Sequence, residues 1–189
     1  MYSKSFINFG FGPLICLLPG MVLLTSQIRG SETSERQDKL NGGYYLLHHL
    51  CDDESQLPLL IAVKHTPPEV AGYVDRISKT AKESSASLEQ MQKGDSSLRF
   101  DKNPLPEVER DVRASIRDAK QHQLLFGTTD SDFVHALLVS QIEASNYALN
   151  LAKVLSEQES DPARVKKLQR ISVKWQTLYE EAYRRLKSS

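Results

Sequence analysis

Cysteine is scarce in this 189-residue chain, with two in all, Cys16 and Cys51. Cys16 lies inside an apolar run, so once that run is cleaved or held in a bilayer Cys51 is the only thiol left, and no intramolecular disulfide can staple the rest. Stability must then come from packing. An excess of either charge is also missing, since Lys plus Arg and Asp plus Glu both total 24. Setting aside Lys4 and Arg29, the part beyond residue 30 holds 22 basic and 24 acidic residues, a net of −2. Such a balance gives no electrostatic case for nucleic acid. The chain has no G-x-S-x-G, glycine-rich phosphate loop, C-x-x-C or H-E-x-x-H, so the usual hydrolase, nucleotide, redox and zinc-protease signatures are all missing. No glutamate has a histidine three residues on, which removes the Glu-x-x-His pairs that di-metal bundles use. There is no internal repeat and no low-complexity tract.

What the chain does have is one long apolar run, Phe6 to Ile28, ahead of a polar remainder. Lys4 supplies a positive flank, Phe6 to Leu24 an apolar core, and Thr25-Ser26-Gln27 a small-residue zone open to a signal peptidase. Residues 1–30 are therefore read as an export signal, or as an uncleaved membrane anchor, because the run approaches the roughly 20 residues a spanning helix needs. Gly10, Gly12, Pro13, Pro19 and Gly20 weaken a continuous helix, and Lys4 and Arg29 give no charge asymmetry to orient one. Cys16 sits mid-core after Leu14-Ile15, without the small residues that precede a lipid-attachment cysteine. The expected location is periplasmic or secreted, or tethered to a membrane through residues 6–28.

Beyond it, 31–43 is mixed in charge, contains a single Leu and ends on Gly42-Gly43, which predicts a flexible linker. Residues 44–189 then read as one helical domain. Tyr44 to Cys51 predicts a short helix, and the apolar run Leu57 to Val63 a second, starting near Pro58. Thr66-Pro67-Pro68-Glu69 has the form of a capping box opening a helix over 67–93, with Val70, Val74, Ile77, Ala81, Ser84, Leu88 and Met91 inward and Gly94 as its stop. Pro104 and Pro106 open a helix over 104–126 with Val108, Val112, Ile116 and Ala119 inward and Gly127 as its end. Thr129 with Asp132 caps a helix over 131–159, whose stripe is Phe133, Leu137, Ser140, Ala144, Ala148, Leu151 and Leu155, broadened by Val134, Leu138, Ile142 and Val154. Asp161-Pro162 caps the last, 162–187, with Val165, Leu168, Ile171, Trp175, Leu178, Ala182 and Leu186 inward. Four long helices joined by short connections predict an all-α, up-down-up-down four-helix bundle with short N-terminal helices along its side or end.

Chemistry is thinner. Glu143 and Asn146 hold the spacing of a Glu-x-x-His pair with asparagine in the histidine place, and asparagine binds transition metals weakly, so they predict a buried hydrogen-bonded pair. Asp132 with His135 and Asp118 with His122 put carboxylate and imidazole three or four residues apart near Gly127; both histidines fall off the inward stripes and are read as exposed. His48 and His49 diverge by about 100° on a helix, so one faces solvent. Cys51, followed by Asp52, Asp53 and Glu54, is a poor nucleophile and reads as core. Residues 161–187 carry Arg164, Lys166, Lys167, Arg170, Lys174, Arg184, Arg185 and Lys187 against Asp161, Glu180 and Glu181, a net of +5 that suits a solvated outer face, an anionic membrane or an acidic partner.

The export segment, short apolar helices and four long helices together resemble the secreted ferritin-like bundles of bacterial families of unknown function, most closely over Leu137 to Leu155 with its Gln141-Ile142-Glu143-Ala144-Ser145-Asn146-Tyr147. That resemblance implies the fold and no site, because Asn146 stands where ferritin-like enzymes carry histidine. No residue is assigned a catalytic, cofactor-binding or metal role, and no cofactor is implied. The expected function is a non-enzymatic cell-envelope bundle that binds a protein partner or the envelope surface. Two alternatives stand beside it, a ferritin-like metal-binding oxidase or stress protein and a basic-face binder of membranes or polyanions.

Overall fold

The computed structural model describes residues 22–62, 64, 66–126 and 129–188. Its helices are α1 (Val22–Ser55), α2 (Leu57–Ile61), α3 (Pro68–Gly94), α4 (Glu107–Phe126), α5 (Asp130–Gln158) and α6 (Pro162–Ser188), and no strand occurs among the described residues. The protein is all-α. The chain divides into two units, Met1–Glu35 and Arg36–Ser189. The described part of the first is the start of α1; the rest concerns the second. The export or anchor segment expected over 1–30 lies largely outside the described residues. Among those described, no helix is long and apolar enough to cross a membrane.

Side-chain patterning and caps set the helices α3, α5 and α6 within a residue or two of the sequence reading. All seven stripe positions of α3, Val70 through Met91, are buried, as are Leu168, Ile171, Trp175, Leu178 and Ala182 of α6. Thr129 accepts from the Asp132 N–H at 3.3 Å, and Asp161 accepts from the N–H groups of Ala163 and Arg164 at 2.7 and 2.9 Å, each satisfying donors the first helical turn leaves free. The capping box at Thr66 does not form. Pro67 occupies the N-cap without a side-chain cap, and the Thr66 hydroxyl turns back to the Lys64 carbonyl instead.

Residues 31–43 are helical rather than a linker, as part of α1. From residue 36 on the cause is tertiary. Leu40, Tyr44, Leu47 and Cys51 are buried at steps of four and three, and the two glycines act as points of close approach rather than as breaks. A Cβ on Gly43 would stand 2.6 Å from a Leu155 methyl of α5, and one on Gly42 2.8 Å from Pro104. Asn41 accepts from the Arg99 N–H and donates to the Ser97 carbonyl, which ties the 95–100 loop to α1, while Phe100 stacks on Tyr44 and lies tilted against His48.

Paired contacts fix directions. Along α1 and α3, Asn41 meets Ser97, His48 meets Glu89, Asp52 meets Ser85 and Ser55 meets Ser78, so the two run antiparallel. Along α3 and α6, Arg76 pairs with Glu181 and Glu83 with Lys174, antiparallel again. α1 runs against α5, with Tyr44 at Glu159 and Glu54 at Gln141, and Ser172 of α6 donates to the Leu149 carbonyl of α5. α1, α3, α6 and α5 thereby surround one apolar core.

Apart from Leu124, α4 is outside it, which corrects the expected stripe. Val108, Val112 and Ile116 are 74%, 47% and 51% exposed, Ala119 is exposed, and Leu124 is the buried residue of the helix. Periodicity shows that residues share a face but not where that face points. At about 100° per residue, Arg110 and Arg117 lie across the helix from the apolar stripe, and Arg113 and Lys120 lie on the flank between. These basic residues face the bundle: Lys120 pairs with Glu143, Arg117 lies 3.8 Å from Asp53, and Arg113 covers the Tyr147 ring at 5.7 Å.

Candidate functional site

On α5 the expected Phe133, Leu137, Leu138, Ala148 and Leu155 are buried, while Gln141, Ser145 and Ala152 take the places expected of Ser140, Ala144 and Leu151, and Val154 is 44% exposed. Two polar residues are thus inside. On α1 the steps Tyr44, Leu47, Cys51 continue one further to Glu54, which reaches the same interior. A cleft of about 830 Å³ opens between α1, α4 and α5, and both Glu54 and Gln141 line it. The Glu54 residue is partly exposed, yet its Oε2 atom is buried, and neither Glu54 Oε2 nor Gln141 Oε1 has a hydrogen-bond partner among the described residues. Burial pushes the Glu54 carboxyl up to about 7, helped by the charge of Asp53 and opposed by a hydrogen bond from Gln141 and by the charge of Lys120. A carboxyl so placed changes charge near neutrality.

A second cluster joins α1 to α3. His48 Nδ1 lies 3.2 Å from Asp52 Oδ2, and Ser85 Oγ 3.1 Å from His48 Nε2, a Ser-His-Asp grouping by residue type. Asp52 holds the far nitrogen as a triad carboxylate would, but the serine of a nucleophilic triad gives its proton to histidine. Here Ser85 donates at 2.8 Å to Asp52 itself, Glu89 lies 3.6 Å from the same His48 nitrogen, and Ser85 is buried. The cluster fastens two helices.

At the other end of the bundle, Glu159 and Arg164 close the turn from α5 to α6. Arg164 makes two 2.9 Å hydrogen bonds to the two Glu159 oxygens, the Tyr44 hydroxyl donates to Glu159 at 2.7 Å, and the Ser160 and Asp161 N–H groups donate to it as well. Arg164 also pairs with Asp95. Burial alone would raise the Glu159 carboxyl, but these donors outweigh it and hold the group at about 2.

The residues singled out in the sequence are dispersed. Glu143 and Asn146 are both exposed, and they are not the expected buried pair: Glu143 bonds Lys120 and Asn146 bonds Asn150. The interior positions of that run are their neighbours Gln141 and Ser145. His122 is exposed and meets Phe126 with its ring tilted, Asp118 and His135 are exposed, and Asp132 serves the Thr129 cap. His49 faces solvent beside Asp53, while His48 is half-buried. Cys51 is buried, and burial followed by the charges of Asp52 and Glu54 pushes its thiol up to about 12. Several α6 cations are engaged, Arg164 as above, Lys174 with Glu83 and Arg185 with Glu181. Among the described residues no three His, Cys, Asp or Glu side chains are grouped as metal ligands. Sequence reasoning missed Glu54, though its signal is present, since it continues the heptad-like series 40, 44, 47, 51.

These features define a helical bundle with an outward apolar helix face and a cleft behind it. Comparison with known protein families, curated proteins and solved structures finds no match.

Proposed function

We propose that this chain is a non-enzymatic bundle of the cell envelope, exported through its N-terminal apolar segment, that binds a protein partner on the outward face of α4. The observation that carries the reading is the exposure of Val108 and Val112, with Ile116, also half-exposed, on the rim of the cleft. An amphipathic helix in a bundle normally turns its stripe to the core; here the contacts to α1 and α5 are made by half-exposed Arg113, Arg117 and Lys120, and the Val108–Val112 side is left for another surface to cover. Glu107, Asp111 and Asp118 are exposed along one flank of that stripe, so the partner that fits is an amphipathic helix with basic residues beside its apolar face. An anionic membrane is disfavoured by the same flank. The fold we propose is a four-helix, ferritin-like bundle of α1, α3, α5 and α6. Antiparallel neighbours with one long connection, here through α4, are the arrangement such bundles share, so α1 replaces the 104–126 helix as the fourth member.

A photo-crosslinking residue placed at Val112 in the protein in its native host tests the reading, with the same residue at exposed Asp75 of α3 as the control. The expected result is a discrete adduct with a second protein from position 112 and none from 75. A crosslink only to another copy of this chain, or to lipid, or equal adducts from both positions, would contradict it.

A further inference from the structure

The cleft behind α4 has the build of a channel with one charged end. Arg113 lies over Tyr147 and Lys120 pairs with Glu143, so α4 runs antiparallel to α5 and parallel to α1. Ion pairs tie it along both edges, Arg117 to Asp53 of α1 and Lys120 to Glu143 of α5. The floor between those edges is apolar, formed by Leu46, Leu50 and Leu57 of the α1–α2 side and Leu137 and Ala144 of α5, in a volume of about 830 Å³. Volumes of this order accept small organic ligands.

The charges in the lining differ in what they can still hold. Asp53 and Glu143 are taken by Arg117 and Lys120. Glu54 buries its Oε2 in the protein, and its carboxyl keeps a proton up to about 7. Asp111 is about 100° round α4 from Arg110, on the outward flank. Among the cations, Arg113 has Glu109 at 2.8 Å. Arg110 lines the cleft with its guanidinium free of hydrogen bonds and ion pairs among the described residues. It lies as many residues before Arg117 as Leu46 lies before Asp53, which in parallel helices sets Arg110 level with Leu46, at the far end of the channel from Leu57.

We propose that this channel binds a carboxylate with a medium-length alkyl chain, its head paired with the Arg110 guanidinium and its tail lying along the leucines toward Leu57 and Leu137. A guanidinium presents parallel N–H donors that match the two oxygens of a carboxylate. An ammonium head would be repelled by the same group, and an alcohol would gain only a neutral hydrogen bond. The tail leaves water for an apolar wall, so affinity grows with chain length until the channel is full. This site uses the inward side of α4 and does not depend on what covers the outward side.

Calorimetric titration of the full chain with decanoate, beside decanol and decylammonium, is the test, at about pH 6, where the probe is ionised and Glu54 keeps its proton. Decanoate is expected to bind, and the neutral and cationic analogues at least about fivefold more weakly, the effect of losing a partly exposed ion pair. Octanoate should bind more weakly than decanoate, by about fourfold for each methylene removed. Arg110→Gln should cost about fivefold in decanoate affinity and leave decanol unchanged, with folding retained by circular dichroism. Ala144→Phe, which fills the channel, provides a second variant that should weaken decanoate, and Arg170→Gln on α6 should bind as wild type. No binding of decanoate, equal binding of decylammonium, or unchanged decanoate affinity in Arg110→Gln would each overturn the proposal.

Discussion

Arg164→Ala is expected to lower the unfolding free energy by about 3–5 kcal/mol near neutral pH, the usual cost of stripping one partner from a buried ion pair. Glu159, whose side chain is 1% exposed beside Arg164, would lose the guanidinium that grips both its oxygens. Tyr44, Ser160 and Asp161 would still donate to it, which keeps the loss from being larger. Acid provides the signature. The folded Glu159 carboxyl, at about 2, lies below its ordinary value near 4.5, so its contribution is fully present above about pH 4.5 and is lost as pH falls toward 2. Denaturant melts at pH 7 and pH 3 should therefore show wild type losing stability in acid and Arg164→Ala losing less of it. Equal acid losses in both proteins would mean that the Glu159–Arg164 pair is not what holds the α5–α6 turn.

Glu54→Gln is expected to act in the opposite direction. The folded Glu54 carboxyl is raised from 4.5 to about 7, so the folded state holds a proton that the unfolded chain releases, and stability falls as pH rises from about 4.5 through 7. Each tenfold difference in proton affinity between folded and unfolded chains is worth roughly 1.4 kcal/mol, so the penalty above pH 7 reaches about 3 kcal/mol at most. The neutral amide of the variant carries no such penalty, and its N–H₂ can supply the donor that the unpaired Gln141 Oε1 lacks. The variant should match wild type near pH 4 and exceed it at pH 8 in chemical denaturation. A loss of stability at pH 8 would mean that the ionised carboxylate is already satisfied, contrary to the cleft's geometry.

The sequence was most legible where caps and stripes coincide. Thr129, Asp161 and Gly94 place helix ends, and Val70 through Met91 share one buried face, because these signals are local and the stripe is apolar throughout. Three features were not local. Gly42-Gly43 reads as a break, yet its backbone is where Leu155 and Pro104 approach α1, a fact of tertiary packing. The run Asp52-Asp53-Glu54 counted only as charge beside Cys51, although Glu54 continues the buried series from Tyr44. The orientation of α4 is the largest departure. Val108, Val112 and Ile116 look like a core stripe, and only the partners Asp53, Glu143 and Tyr147, distant in sequence, determine that Arg113, Arg117 and Lys120 take the inward side. The proposed cleft and docking face both depend on that orientation.

Thiol labelling tests it directly. Val112→Cys and Val74→Cys would be treated with a maleimide in the folded protein and compared with wild type, whose Cys51 is buried. Fast labelling at 112 and protection at 74 is the predicted result. Protection at 112 equal to that at 74 would put the α4 stripe in the core and contradict the account.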